Sequence, residues 1–231
     1  MLPLKDTIRA RSFPIVNWLI ILANVAVFAF VELPLSPQQL DRFVLTYGVV
    51  PRQLFTGNPQ EFMTLFTSMF LHGGWLHLIS NMWALYIFGD NVEDRMGAGR
   101  YLLFYLIGGV AAALAQVWIG PASRIPMVGA SGAIAGVLAA YMVLYPGARV
   151  ITLVPLLFLP WFIEIPALIY IGFWFLSQFF SGLFGLGMSA VGGVAYWAHI
   201  GGFVCGLLLV SLFARRPRAH YRWYPDEFQP W

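Results

Sequence analysis

The feature that most limits the fold of this chain is a series of long apolar runs that contain almost no charged residues. Of the 231 residues, 60% are hydrophobic and 10% are charged. An average soluble domain has about 25% charged residues, so this chain cannot cover a soluble surface. The apolar content also excludes a disordered chain. Because the runs are continuous and do not alternate between apolar and polar residues, they favour membrane-spanning helices over a transmembrane barrel.

The sequence predicts an all-α membrane protein built as a polytopic bundle of six transmembrane helices. We place the spans at residues 15–31, 76–89, 101–119, 131–145, 166–182 and 191–213. An apolar stretch at 62–71 precedes the second span. Pro166 suits the first turn of the fifth helix, with Glu164 or Ile165 as its cap. Residues 150–162 are then expected to form an apolar loop at the inner interface.

The distribution of Lys and Arg predicts that both ends of the chain lie in the cytoplasm. With this topology, ten of the 13 basic residues lie inside: Lys5, Arg9, Arg11, Arg95, Arg100, Arg149, Arg215, Arg216, Arg218 and Arg222. The three outside are Arg42, Arg52 and Arg124. We expect a cytoplasmic tail at 1–14, a membrane domain at 15–213 and a basic cytoplasmic tail at 214–231. Topology explains the net charge of +3, so we predict no nucleic-acid partner.

Polar side chains in apolar surroundings are costly, so they are candidate functional residues. The candidates are His72, His77 and Asn81 around the start of the second span, Gln116 in the third, Ser131 in the fourth and His199 in the sixth. We expect Gln116 to form a helix-to-helix hydrogen bond. The single cysteine, Cys205, lies in an apolar run and is expected to be a packing residue.

Ser131 is predicted to lie at the start of a short helix. The helix would have about 15 residues and a length of about 22 Å, whereas the hydrocarbon core is about 30 Å thick. Ser131 would therefore lie several Å below the outer surface. Gly129 permits a tight turn before it. A serine at this place also suits an ordinary helix N-cap, so its position alone does not indicate catalysis.

Two glycine motifs predict that Ser131 and His199 lie close together. The motifs are Gly132-x-x-x-Gly136, directly after Ser131, and Gly202-x-x-x-Gly206, on the helix face of His199. Such motifs let the backbones of two membrane helices approach closely. The hydroxyl and the imidazole would then be within hydrogen-bond reach.

A serine with a histidine base is the minimal apparatus for acyl transfer. No Asp or Glu lies near His199 in the spans, so we predict a dyad with an imidazole oriented by packing. Oxyanion donors are expected from His77 and Asn81, one helical turn apart, and from the Ser131 amide. The three histidines could instead bind a metal. The pattern is not H-E-x-x-H and no carboxylate base lies beside it, so we predict no metal and no cofactor.

These motifs resemble those of the rhomboid intramembrane serine proteases, in their basic six-span bacterial form. The matching segments are His-Gly-Gly-Trp-Leu-His-Leu-Ile-Ser-Asn at 72–81, Gly-Ala-Ser-Gly-Ala at 129–133 and Ala-His-Ile-Gly-Gly-Phe-Val-Cys-Gly at 198–206. In addition, Glu-Asp-Arg-Met-Gly at 93–97 is similar to an acid-x-Arg-x-Gly turn of the family.

The resemblance implies an endopeptidase that cleaves transmembrane protein substrates within the lipid bilayer. Ser131 would be the nucleophile and His199 the base, with an oxyanion hole formed by His77, Asn81 and Ser131. The supporting residues would be His72, Gly129, Gly132, Gly202 and Gly206. The fifth helix and the loop at 182–191 would form a gate and cap. The expected location is a bacterial inner membrane.

Three departures from the family pattern, at four residues, bear on rate and substrate preference. Met63 and Thr64 lie where the family often has Trp-Arg, and Val194 lies where a glycine is common. Ala135 replaces a tyrosine that stacks on the histidine in some members, so Tyr196, Trp197 or another ring would orient His199.

Two other functions compete with the protease hypothesis. A non-proteolytic membrane binder would lack the Ser or the His, and a transporter would show broken paired helices or internal repeats.

Overall fold

The chain folds into a bundle of apolar helices with a small three-stranded sheet. The structure is a computed structural model that describes residues 2–156, 159–185 and 194–215. The helices are α1 (Ile15–Val27), α2 (Pro37–Tyr47), α3 (Gln60–Thr67), α4 (Trp75–Ala84), α5 (Asp90–Met96), α6 (Ala98–Ile119), α7 (Ser131–Leu144), α8 (Ala167–Gly185) and α9 (Tyr196–Phe213). The strands are β1 (Leu2–Asp6), β2 (Arg149–Leu156) and β3 (Leu159–Pro166). Two π-helical segments, Phe28–Glu32 and Leu85–Gly89, extend α1 and join α4 to α5.

Within the described residues, four helical segments are long and apolar enough to cross a membrane. They are Ile15–Glu32, Ala98–Ile119, Ala167–Gly185 and Tyr196–Phe213. A fifth candidate is the pair Gln60–Phe70 and Trp75–Met96, which is bent by 80°. The apolar helix α7 has only 14 residues. The predicted fold class, an all-α membrane bundle, is confirmed.

The short helix α7 lies at the centre of the bundle. Every residue from 132 to 141 is buried, and α6 and α9 pack against it. A methyl group added at Gly202 would overlap the carbonyl oxygen of Gly132, and one at Gly206 would overlap the backbone of Gly136. The backbones of α7 and α9 therefore touch. This confirms the predicted close approach of the two glycine motifs.

The second predicted span, 76–89, is much shorter than the helix that the structure shows. The helix continues without a break from Trp75 to Met96, through the charged residues that end the apolar run. Two of those residues, Glu93 and Asp94, accept hydrogen bonds from the N-terminal segment. Buried Glu93, for example, accepts hydrogen bonds from the backbone N–H groups of Val16 and Asn17 (3.1 and 2.7 Å). It thereby satisfies free donors at the start of α1.

The predicted loop at 150–162 is wrong, because residues 150–156 lie in β2 and residues 159–162 lie in β3. β2 and β3 pair antiparallel, and β1 pairs with the other edge of β2 in the order β1-β2-β3. Apolar and β-branched residues fit a strand as well as they fit an interfacial loop. The third strand comes from the N-terminus, so the loop prediction overlooked a partner that is distant in sequence.

The predicted start of the fifth span is also wrong in detail. Glu164 does not cap a helix, because it lies in β3 opposite Ile151 and forms an exposed ion pair with Arg149 at 3.7 Å. Pro166 ends the strand, and α8 begins at the next residue. The predicted sixth span began too early, since α9 starts at Tyr196. Residues 191–193, most of the predicted loop at 182–191 and the tail after 215 lie outside the described residues.

Candidate active site

Ser131 is the first residue of α7, and the backbone before it is held in a fixed turn. The N–H group of Gly129 donates to the carbonyl oxygen of Ser68 at 2.9 Å, and Met127 pairs with Val49 in a β-bridge. Gly129 has a φ of +127°, a conformation that favours glycine. An added Cβ would also lie 2.7 Å from the His77 ring. The turn predicted at Gly129 is confirmed.

The Ser131 hydroxyl lies next to the imidazole of His199. His199 is in the first turn of α9, and its Nε2 is 2.8 Å from Ser131 Oγ, a normal hydrogen-bond distance. The glycine contact between α7 and α9 accounts for this approach, because Gly132 follows Ser131 and Gly202 lies one turn after His199. A histidine in this position can take the hydroxyl proton when the oxygen attacks a carbonyl.

The other side of the His199 ring contacts α8, which the sequence analysis did not predict. Nδ1 of His199 is 2.7 Å from Oε1 of Gln178. The indole of Trp174 lies beside the imidazole, with ring centroids 5.8 Å apart and planes inclined by 35°. Packing alone was therefore an incomplete expectation. Of the rings predicted to lie beside His199, namely Tyr196, Trp197 or another ring, the last alternative holds, because the ring is Trp174. A signal was present, since Gln178 is an amide within an apolar span.

His77 and Asn81 lie one turn apart on α4 and offer hydrogen-bond donors. The N–H group of Gly73 donates to Nδ1 of His77 at 3.3 Å, so the Nε2 of the neutral ring carries the proton. The close approach of Gly129 to Cε1 and Nε2 of His77 places this edge of the ring near the Ser131 turn. Asn81 is buried, and its Nδ2 has no hydrogen-bond partner among the described residues.

His72 lies behind His77 and is held by a carboxylate that sequence reasoning missed. The two rings meet edge to face, with centroids 5.1 Å apart. The backbone N–H of His72 donates to both carboxylate oxygens of buried Glu32 (3.2 and 3.1 Å). Neither ring nitrogen of His72 has a partner in the described part of the chain. Across the same part, no three His, Cys, Asp or Glu side chains converge as metal ligands would.

The remaining candidate residues have ordinary structural positions. Oε1 of Gln116 accepts a hydrogen bond from the N–H of Ala198 at 3.2 Å, which confirms the predicted helix-to-helix bond. Ala135 is fully buried. Met63 is exposed, whereas Thr64 is buried and donates its hydroxyl to the carbonyl oxygen of Glu61.

Comparison with known proteins agrees with this arrangement. The family model described as Rhomboid domain matches residues 59–216. Rhomboid protein 1, mitochondrial, of Saccharomyces cerevisiae is 29% identical over 191 residues, which are 80% of this chain and 49% of the yeast protein. Rhomboid-like protein 11, chloroplastic, of Arabidopsis thaliana is 30% identical over 195 residues, 84% of this chain and 67% of that protein. Rhomboid protease GluP of Bacillus subtilis is 33% identical over 129 residues, 56% of this chain and 24% of GluP. The chain thus spans about half of the yeast relative and about a quarter of GluP.

Proposed function

The chain belongs to the rhomboid family, and we propose that it is an intramembrane serine endopeptidase. It would hydrolyse peptide bonds in or near the transmembrane segments of membrane proteins. The observation that carries the proposal is the 2.8 Å contact between Ser131 Oγ and His199 Nε2. A hydroxyl and a base in direct contact are the minimum that acyl transfer needs.

In the proposed reaction, Ser131 Oγ attacks the carbonyl carbon of the scissile bond. His199 Nε2 takes the hydroxyl proton and then gives it to the leaving amine, so an acyl-enzyme ester remains on Ser131. A water molecule then attacks the ester and transfers a proton to Nε2. The ester bond breaks, the carboxyl product leaves, and the proton returns to the serine oxygen.

Three donors would stabilise the negative oxygen that forms in each step. The first N–H groups of α7 have no acceptor within their own helix, and the Ser131 amide is one of them. The second donor is Nε2–H of His77. The third is Nδ2 of Asn81, which has no partner in the described part of the chain. Buried donors without partners are rare, so this orphaned amide supports an oxyanion role for Asn81. His72 would support His77 through the contact between their rings.

The proposed substrates are transmembrane protein segments that unwind before cleavage. All amides of a membrane helix are bonded internally, so a peptide bond becomes accessible only in an extended stretch. Helix-weakening residues such as Gly, Pro and small polar residues near the membrane surface would favour this unwinding. A small residue before the cleaved bond is expected from the family resemblance.

We further propose that the protein resides in a bacterial inner membrane with both termini in the cytoplasm. The concentration of basic residues in the inner segments supports this orientation. The relatives from yeast and Arabidopsis carry organelle names, and organelle membranes are the alternative location. Residues 15–213 would form the membrane domain between the tails at 1–14 and 214–231.

Cleavage of a transmembrane reporter in liposomes tests the proposed function. We expect cleavage and fluorophosphonate labelling by the wild type and neither by Ser131→Ala. His199→Ala should reduce both by at least about 100-fold, the usual contribution of a general base. Ser36→Ala, a serine that caps the exposed helix α2, is the matched control and should cleave normally. Cleavage that survives in Ser131→Ala would overturn the serine mechanism. A wild type that neither cleaves nor labels would favour the binder.

A further inference from the structure

The contact between His199 and Gln178 suggests a role that the serine and histidine alone do not include. Gln178 lies on α8, and its Oε1 is 2.7 Å from Nδ1 of His199. The opposite ring nitrogen contacts Ser131. The imidazole is therefore held from both sides, by a hydroxyl on α7 and an amide on α8.

The direction of the Gln178 amide follows from its other neighbour. Nε2 of Gln178 is 3.0 Å from Oγ of Ser177, and that hydroxyl donates to the carbonyl oxygen of Trp174 at 2.6 Å. The Ser177 oxygen is thus left to accept, and the amide nitrogen is its donor. The amide oxygen of Gln178 then faces His199, where it can only accept.

An acceptor at Nδ1 determines which ring nitrogen carries the proton. In a neutral imidazole one nitrogen donates and the other accepts. With Nδ1–H bonded to Gln178, Nε2 has a free lone pair for the Ser131 proton. When the ring becomes positively charged during attack, the same amide oxygen still accepts the Nδ1 proton.

We propose that Gln178 is a positioning residue that fixes the reactive tautomer and orientation of His199. This inference rests on the proposed function. It also accounts for Ala135, because the imidazole is held by an amide and by the Trp174 face, both from α8, without an aromatic ring on α7.

Few ionisable groups in the described residues can act on His199. His77 on α4 lies beside the Ser131 turn, and Tyr196 on α9 itself lies three residues before His199. The ionisable residues of the helices around α9 are Arg100, Tyr101 and Tyr105 on α6, Tyr141 on α7 and Tyr170 on α8. On these helices, Gln116 of α6 contacts Ala198, and Ser131 of α7 and Gln178 of α8 contact His199. Each ionisable residue lies at least eight residues from the contacting residue of its own helix, which is about 12 Å or more along the helix axis. A change in the pH dependence of activity in Gln178 variants can therefore be assigned to the contact with His199.

Gln178→Met and Gln178→Glu test the proposal in the reporter assay. Met has nearly the same length, but its thioether is only a weak acceptor for the Nδ1–H of His199. We therefore expect kcat to fall about 10- to 100-fold with little change in KM. The acid limb of the pH–rate profile should move to lower pH, because the charged imidazole has lost its acceptor. The carboxylate of Gln178→Glu should preserve much of the rate and move the acid limb to higher pH. Gln116→Met removes a half-buried amide whose hydrogen bond in the described residues is to the backbone N–H of Ala198, and it should keep the wild-type acid limb. An unchanged kcat and acid limb in Gln178→Met would overturn the proposal.

The tautomer can also be read without any substrate. In ¹⁵N-histidine-labelled protein, with His199→Ala to assign the signal, the wild-type ring should carry its proton on Nδ1. In Gln178→Met the proton should divide between the two nitrogens. A wild-type proton on Nε2 would overturn the inference even if the enzyme is active. A wild type that shows the expected tautomer but does not label would support the positioning and contradict the proposed protease.

Discussion

At the scale of single residues, the site depends on a position without a side chain. Gly129 combines a φ of +127° with a place where an added Cβ would lie 2.7 Å from the His77 ring. The same Cβ would lie 3.5 Å from Ser131 Oγ. The two functional side chains are close because the residue between them occupies almost no volume.

Gly129→Ala should therefore impair both folding and chemistry. The strained backbone costs about 1–3 kcal/mol of unfolding free energy. Displacement of the His77 ring by about 1 Å could lower the rate about 100-fold. Thermal unfolding and fluorophosphonate labelling of Ser131 would measure the two effects. Gly99→Ala is the matched control, because its added Cβ meets nothing within 4 Å. Normal labelling by Gly129→Ala would contradict this account of the turn.

Individual site residues differ in how far the sequence could predict them. Ser131 and His199 were recognisable because each lies beside a glycine motif that brings helices together. Gln178 was overlooked because its partner depends on how α8 rotates and packs against α9, and no local pattern encodes that rotation. Glu32 was missed for a similar reason. Its carboxylate is buried only because the loop before α4 folds back to the end of the first span.

At the scale of elements, the backbone contact between α7 and α9 determines the distance between serine and histidine. The predicted motifs identified this contact because small residues at a four-residue interval have one main use in membrane helices. The ends of helices were less predictable. The helix Trp75–Met96 continues through charged residues, of which Glu93 has its partners on α1, and hydropathy does not register such partners.

Gly202→Ala should separate α7 from α9, since the added methyl would overlap the carbonyl oxygen of Gly132. Overpacking of this kind usually costs about 1–3 kcal/mol. We also expect the labelling rate of Ser131 to fall by about 100-fold, because a shift of about 1 Å disrupts the hydrogen bond with His199. Gly172→Ala on α8 has open space for the methyl and should label normally. Equal labelling by both variants would argue against backbone contact as the cause of the geometry.

At the scale of the whole molecule, the sheet connects the N-terminus to the segment between α7 and α8. β1 pairs with β2, and Asp6 at the end of β1 accepts hydrogen bonds from the hydroxyl of Tyr141 on α7 and from Nδ2 of Asn91 on α5 (2.9 Å for the latter). One carboxylate thus joins three parts of the fold. Hydropathy predicted the helices but not this sheet, because strand pairing between distant segments leaves no local periodic signal.

Asp6 should make the stability of the protein depend on pH. Burial raises the pKa of this carboxyl above its ordinary value of 3.8, and the hydrogen bond from Tyr141 opposes the rise only in part. Between the ordinary and the raised pKa, the folded state binds a proton that the unfolded state has released. The free energy of unfolding therefore decreases as the pH rises through this window and is level above it.

Asp6→Asn keeps an oxygen that can accept the hydrogen bonds but cannot titrate. As the pH rises through the window, the wild type should lose unfolding free energy relative to Asp6→Asn. Unfolding by sodium dodecyl sulfate at a series of pH values would measure it. Asp41→Asn, at an exposed position on α2, is the matched control for the change of Asp to Asn away from the sheet. A difference that grows in favour of the wild type with rising pH would mean that the Asp6 carboxylate is stabilised by the fold. Asp6 would then hold the N-terminus as an ionised carboxylate and not as a hydrogen-bonded acid whose pKa is raised by burial.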